Sequence, residues 1–175
     1  MDTSYLVGEE DLKYFSKKEI SIISKHKNNI IDVFQVVGFL DVVYTLSGEK
    51  PACLVSANVY EDDLKLDESE EWHLDLAASK MQVDTFTEFL DSFGADYSVS
   101  YEDRPLKRKN AVKVLISNTE DHLSDADLEA FKQDNLSDKK VGKLLGYPED
   151  AVNMFISDET KATRETSVEH IYNIV

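Results

Sequence analysis

The sequence predicts an α+β fold: a helical N-terminal layer on a four-stranded mixed or antiparallel sheet, followed by a C-terminal helix-turn-helix hairpin. Three observations carry this expectation. Helix-start signatures precede apolar residues at helical spacing. Short segments alternate apolar and polar residues with period two. The two kinds follow one another as helices, strands, a helix, strands and helices, which suits a sheet covered by helices on one face.

The elements follow in order. Ser16-Lys17-Lys18-Glu19 is a capping box leading into Ile20, Ile22 and Ile23. An apolar segment from Asn29 to about Leu46 reads as a mostly buried helix, with Asp32, Gln35 and Asp41 as its narrow solvent stripe. Ala52 to Val59 follows the Gly48-Glu49-Lys50-Pro51 turn as a strand. Trp72, Leu74 and Leu76 alternate with His73 and Asp75 as a second. Ser79-Lys80-Met81-Gln82 starts a helix carrying Val83, Phe86, Leu90 and Phe93, with Gly94 as its stop. Tyr97 to Tyr101 and Val112 to Ile116 form two further strands joined by a long loop from Glu102 to Asn110. Ser124 begins another helix, and the residues after Asp158 turn polar. The chain of 175 residues fits one domain. It divides into a helical layer (1–47), strands with one helix (48–118), and C-terminal helices and tail (119–175).

Hydrophobic residues make up 42 % of the chain, and eight Phe and eight Tyr can fill a core. Thirty-five acidic residues against nineteen basic ones give a net charge of −16. Such a field repels nucleic acid and anionic membranes. A salt-accumulating halophile and an ordinary acidic cytosolic protein both fit this balance, and the dominance of Lys over Arg argues against extreme halophily. Cys53 is the only cysteine, among apolar neighbours, and is expected to be an inert core thiol. Met1 to Glu10 lacks the basic start and apolar stretch of a secretory leader. Asp32, Gln35 and Asp41 interrupt the apolar segment, so no membrane span is expected there. The expected location is the cytoplasm.

No residue group carries a strong catalytic signature, and no catalytic residue, metal site or cofactor is expected. The acidic stretch Glu61 to Glu71 lacks the alternating acids and mid-loop Gly of a calcium loop and reads as solvated charge. His122 lies among Glu120, Asp121, Asp125 and Asp127, where acids also belong to a helix's first turn. His73 sits beside Asp75 on the polar side of a strand. These two histidines are where a small enzyme would have its site. Arg104, Lys107, Arg108 and Lys109 form the one basic cluster. It suits an anionic ligand or an acidic protein partner, or pairs with the chain's own surplus acids.

The most distinctive stretch runs from Ser137 to Ile156. Ser137 caps one helix, Gly146 ends it in the left-handed conformation, and Pro148 starts the next. Small Gly142 permits close approach, with Val141, Leu145, Val152 and Phe155 along the contact. This resembles the DNA-binding helix-turn-helix, but the second helix begins Pro148-Glu149-Asp150 and holds no basic residue through Glu159. Base and phosphate contacts need the opposite charge, so duplex DNA is not an expected partner. The run Leu145-Gly146-Tyr147-Pro148, with Val152 and Phe155, also resembles a mostly archaeal family of unknown function whose motif is Leu-Gly-Tyr-Pro-x-Cys-Cys-Val-x-x-Phe. Asp150 and Ala151 stand where that motif has its cysteines. The resemblance covers about a dozen residues and brings no known activity with it.

The reading that fits best is a non-catalytic interaction or ligand-binding protein. Its contact surfaces would be the hairpin (Gly146, Tyr147, Pro148, Val152, Phe155) and the Arg104 to Lys109 loop. A transcription-type regulator and a small enzyme near His122 or His73 are the alternatives.

Overall fold

The computed structural model describes residues 12–60, 77–104 and 109–159. Five helices and four strands follow one another among them: α1 (Lys17–Leu46), β1 (Cys53–Tyr60), β2 (Ala77–Ser79), α2 (Lys80–Phe93), β3 (Asp96–Arg104), β4 (Lys109–Ser117), α3 (Asp125–Lys132), α4 (Asp138–Leu144) and α5 (Glu149–Glu159). The strands form one mixed sheet in the order β2-β1-β4-β3. β1 pairs parallel with β2 and antiparallel with β4, and β3 pairs antiparallel with β4.

The register sorts side chains by face. Cys53 stands opposite Ile116, Val55 opposite Val114 and Ala57 opposite Val112. Tyr97 and Val99 continue those rows on β3. This face meets α1 and α2 in the main core, where Phe39, Phe86, Phe89 and Leu90 are fully buried. Each such side chain contributes roughly 1.5–3 kcal/mol by leaving water. The other face begins with the row Leu54, Leu115 and Ser98. Leu115 joins Leu123, Phe131 and Leu144 in a second, smaller core. Helices therefore cover both faces, not one. The reason is β4, whose alternate residues are apolar on both sides: Ala111 and Leu115 on one, Val112, Val114 and Ile116 on the other, all buried.

Local chemistry sets the helix ends. The capping box at Ser16 is formed: Glu19 N–H donates to Ser16 Oγ at 3.3 Å, and Ser16 N–H donates to Glu19 Oε2 at 2.7 Å. Ser79 and Gln82 repeat the arrangement at the start of α2, and Gly94 ends that helix. The strand expected over Trp72 to Leu76 lies outside the described residues, and the strand described beside β1 begins at Ala77. β3 and β4 pair as far as Arg104 and Lys109, so the strands take in both ends of the loop expected from Glu102 to Asn110, and 105–108 lie outside the described residues.

The two N-terminal helices expected from sequence run on as α1, with a kink at Gln35 between its two helical halves. Gln35 has φ 62° and ψ 179° inside α1. The half before it leans on α2: Phe34 packs against Phe86 at 4.7 Å between ring centroids, and Asn29 Nδ2–H donates to Gln82 O at 3.1 Å. The half after it lies on the sheet, with Leu46 O accepting from Asn118 Nδ2–H at 2.7 Å. The bend lets one helix serve two surfaces. α1 is long and apolar enough by composition to cross a membrane. In this fold its buried residues, from Ile23 to Leu46, belong to the main core.

A Gln at these angles occupies backbone space that is essentially glycine's, at a cost of about 1–3 kcal/mol. Gln35 is exposed, so replacing it loses little packing. Gln35→Gly should therefore raise the free energy of unfolding by about 1 kcal/mol. The urea midpoint checks this, and a lowered midpoint would contradict a strained backbone at Gln35.

Candidate functional site

The hairpin forms as its caps dictate. Ser137 Oγ accepts from Lys140 N–H at 3.3 Å and opens α4. At its end, Gly146 N–H donates to Lys143 O and Tyr147 N–H to Gly142 O, both at 3.0 Å. Gly146 carries φ +80°, the left-handed residue of this motif. A Cβ there would also lie 2.8 Å from Pro51 Cγ, so the turn sits tightly against the Gly48 to Pro51 turn. Gly142 is required by approach: a Cβ on it would meet Val152 Cγ2 at 2.9 Å. Val152 is accordingly buried.

The small second core ties α4 to the body of the protein. Leu144 packs with Leu115, Leu123 and Phe131, and Leu145 lies against them. Lys140 Nζ reaches Asp127 Oδ1 of α3 at 3.3 Å. The Ser124 hydroxyl, helped by Lys140, holds Asp127 below the ordinary carboxylate range. A lowered carboxylate stabilises the fold above its unfolded pKa, and that contribution is lost as pH falls through the lowered value. Among the contacts between elements, α5 packs chiefly on α4.

Between these helices and β1 lies a cleft of about 490 Å³. Its walls are Leu54 of β1, Val141, Gly142 and Leu145 of α4, the turn residue Tyr147, and Ala151, Val152 and Phe155 of α5, with Asp138 at its edge. The lining is almost wholly apolar. Tyr147 is 60 % exposed, Phe155 61 % and its neighbour Met154 66 %. Large side chains this exposed, gathered on one helix and its turn, form a patch of the kind that marks interaction surfaces.

Tyr147, Val152 and Phe155 line the cleft, while Gly146 and Pro148 shape the turn between its helical walls. One placement differs: Phe155 was expected in the helix–helix contact and instead stands on the open side, because α5 covers α4 only through its Val152 edge. Leu54, Met154 and Asp138 were missed. Leu54 had a visible signal, as an apolar residue on the strand face otherwise carrying Ser56 and Asn58.

The basic cluster lies elsewhere. Arg104 and Lys109 are backbone partners in the last rung of the β3–β4 pair, and Lys107 and Arg108 lie outside the described residues. From Leu115, beside Leu54, the strand runs six residues to Lys109, roughly 20 Å. The hairpin and the loop are thus separate surfaces.

The remaining candidates have structural roles or lie outside the described residues. His122 Nε2–H donates to Leu144 O at 2.6 Å, satisfying a carbonyl at the end of α4. His73, His170 and the acidic stretch Glu61 to Glu71 fall outside the described residues. Among the described residues, no group of three or more His, Cys, Asp or Glu is placed to hold a metal. Cys53 is buried, and burial pushes its thiol up to about 11, far from a thiolate at neutral pH. Lys50 is held above its ordinary value by its hydrogen bond with Asp41, with Tyr147 adding a smaller effect.

Gly146→Val should lower stability by about 1–3 kcal/mol, because a β-branched residue resists positive φ and its Cβ meets Pro51. Thermal unfolding checks it, and an unchanged melt would contradict the turn geometry.

No family model, curated protein or solved structure matches the chain.

Proposed function

We propose that this protein is a non-catalytic interaction protein whose C-terminal hairpin docks an apolar segment of another protein. One observation carries the reading: the aromatic and Met side chains of α5 and its turn stand exposed around an apolar cleft of about 490 Å³. A ligand small enough to sink into the cleft would leave Met154, which is not part of its lining, in water. A chain segment covers both the cleft and α5. The few shifted ionisable groups among the described residues do not converge on the cleft, which favours binding over catalysis. The resemblance of the Leu145 to Phe155 stretch to an archaeal motif falls on this same hairpin.

A second reading concerns the basic loop. Arg104 and Lys109 share the last backbone rung of the β3–β4 pair. Four of the chain's nineteen basic residues, Arg104, Lys107, Arg108 and Lys109, fall within six positions here, so we propose this stretch as a secondary contact for anions. The transcription-type regulator is less well supported, because α5 carries Glu149 and Asp150 in its first turn and no basic residue in its last.

The double variant Met154→Ser, Phe155→Ser tests the main reading. Both side chains are exposed, so the melt should stay within about 0.5 kcal/mol of the parent. Binding of the neutral apolar dye Nile red, and of an uncharged amphipathic peptide, should fall about tenfold, as for loss of an aromatic anchor. Unchanged binding of both would refute the docking role. For the loop, changing Arg104, Lys107, Arg108 and Lys109 together to Gln should abolish binding of inorganic polyphosphate without moving the melt. Lowered stability with polyphosphate binding intact would instead make the cluster internal charge compensation.

A further inference from the structure

We infer that the segment docked on the hairpin is a cationic amphipathic helix, rich in Lys or Arg beside its apolar face. The inference rests on the docking role proposed above and adds the partner's chemistry. The cleft is built from helix side chains and Leu54, so recognition proceeds by side-chain packing, as when a helix is laid in a groove.

The charges around the cleft select the partner. Asp138 is the charged residue in the lining, and it is exposed. On α4 the lining stripe is Asp138, Val141, Gly142 and Leu145, and Lys139, Lys140 and Lys143 fall outside it. Two of those lysines are already engaged, Lys140 with Asp127 at 3.3 Å and Lys143 with Glu149 at 3.5 Å. On α5, Asp150 precedes the lining Ala151 and accepts its N–H at 2.9 Å. From Glu149 to Glu159 that helix carries no Lys or Arg. The whole chain adds a field of −16, which draws a cationic helix in and repels an acidic one. The same field opposes a second copy of this chain, since two such charges would have to meet across the hairpin.

Three peptides test the inference, with one shared apolar face and Lys, Gln or Glu at every other position. Their binding to the full chain is read by fluorescence anisotropy at 150 mM salt, where nonspecific attraction is screened. The Lys peptide should bind at least tenfold tighter than the Gln peptide, and the Glu peptide should not bind. Phe155→Ser should weaken the Lys and Gln peptides alike. Asp138→Asn with Asp150→Asn should narrow the Lys-to-Gln gap. If the Gln peptide binds as tightly as the Lys peptide, the docking role stands and the cationic partner falls. If the Lys peptide binds but ignores Phe155→Ser, the attraction is to the net charge alone, and the inference is overturned. Binding that appears only after Ile171→Ser and Tyr172→Ser would make the chain's own tail the occupant. A dimer in sedimentation that Phe155→Ser dissolves would make it a second copy. Either result overturns the inference.

Discussion

β4 is the strand on which both layers of helices depend. It lies between β1 and β3, with Val112, Val114 and Ile116 toward α1 and α2 and, on the face it shares with Lys113, Leu115 toward α3 and α4. Buried apolar residues on both sides need cover on both sides. The first cover comes from the long bent α1 and from α2. The second comes from Leu123 and the short helices α3 and α4, through Phe131 and Leu144.

That difference in cover gives rise to the cleft. Leu115 and Leu54 need apolar neighbours, and α3 and α4 supply Phe131, Leu144 and Leu145. α5 is held to α4 through the close approach of Val152 to Gly142. Met154 and Phe155 of the same helix are exposed. Exposure of large apolar groups is unfavourable by roughly 25 cal/mol per Å².

The hairpin holds three acids, Asp138, Glu149 and Asp150, and three lysines, Lys139, Lys140 and Lys143, with Lys143 paired to Glu149 and Asp138 at the edge of the apolar cleft. The far end of the sheet brings Arg104 and Lys109 into one backbone rung, about 20 Å away along β4. His122, the titratable group that first suggested chemistry, closes a helix end instead.

The sequence by itself determined the features that depend on nearest neighbours. Ser16, Ser79, Ser124 and Ser137 each cap a helix through a hydrogen bond three residues on, and Gly146 with Pro148 sets a turn through allowed φ alone. Such signals are complete within four or five residues, so the hairpin and the candidate residues Tyr147 and Val152 were legible in advance. The period-two strands were legible for the same reason. Only the tertiary structure decided the bend at Gln35, because a Gln has no local preference for φ 62° and holds it only where α2 and the sheet grip the two halves of α1. Only the tertiary structure brought Leu54 and Phe155 into one cleft, left Phe155 open where sequence spacing had put it in a contact, and set helices on both faces of the sheet. Those outcomes depend on which surfaces compete for the same apolar partners across a hundred residues of chain, and no local pattern encodes that competition.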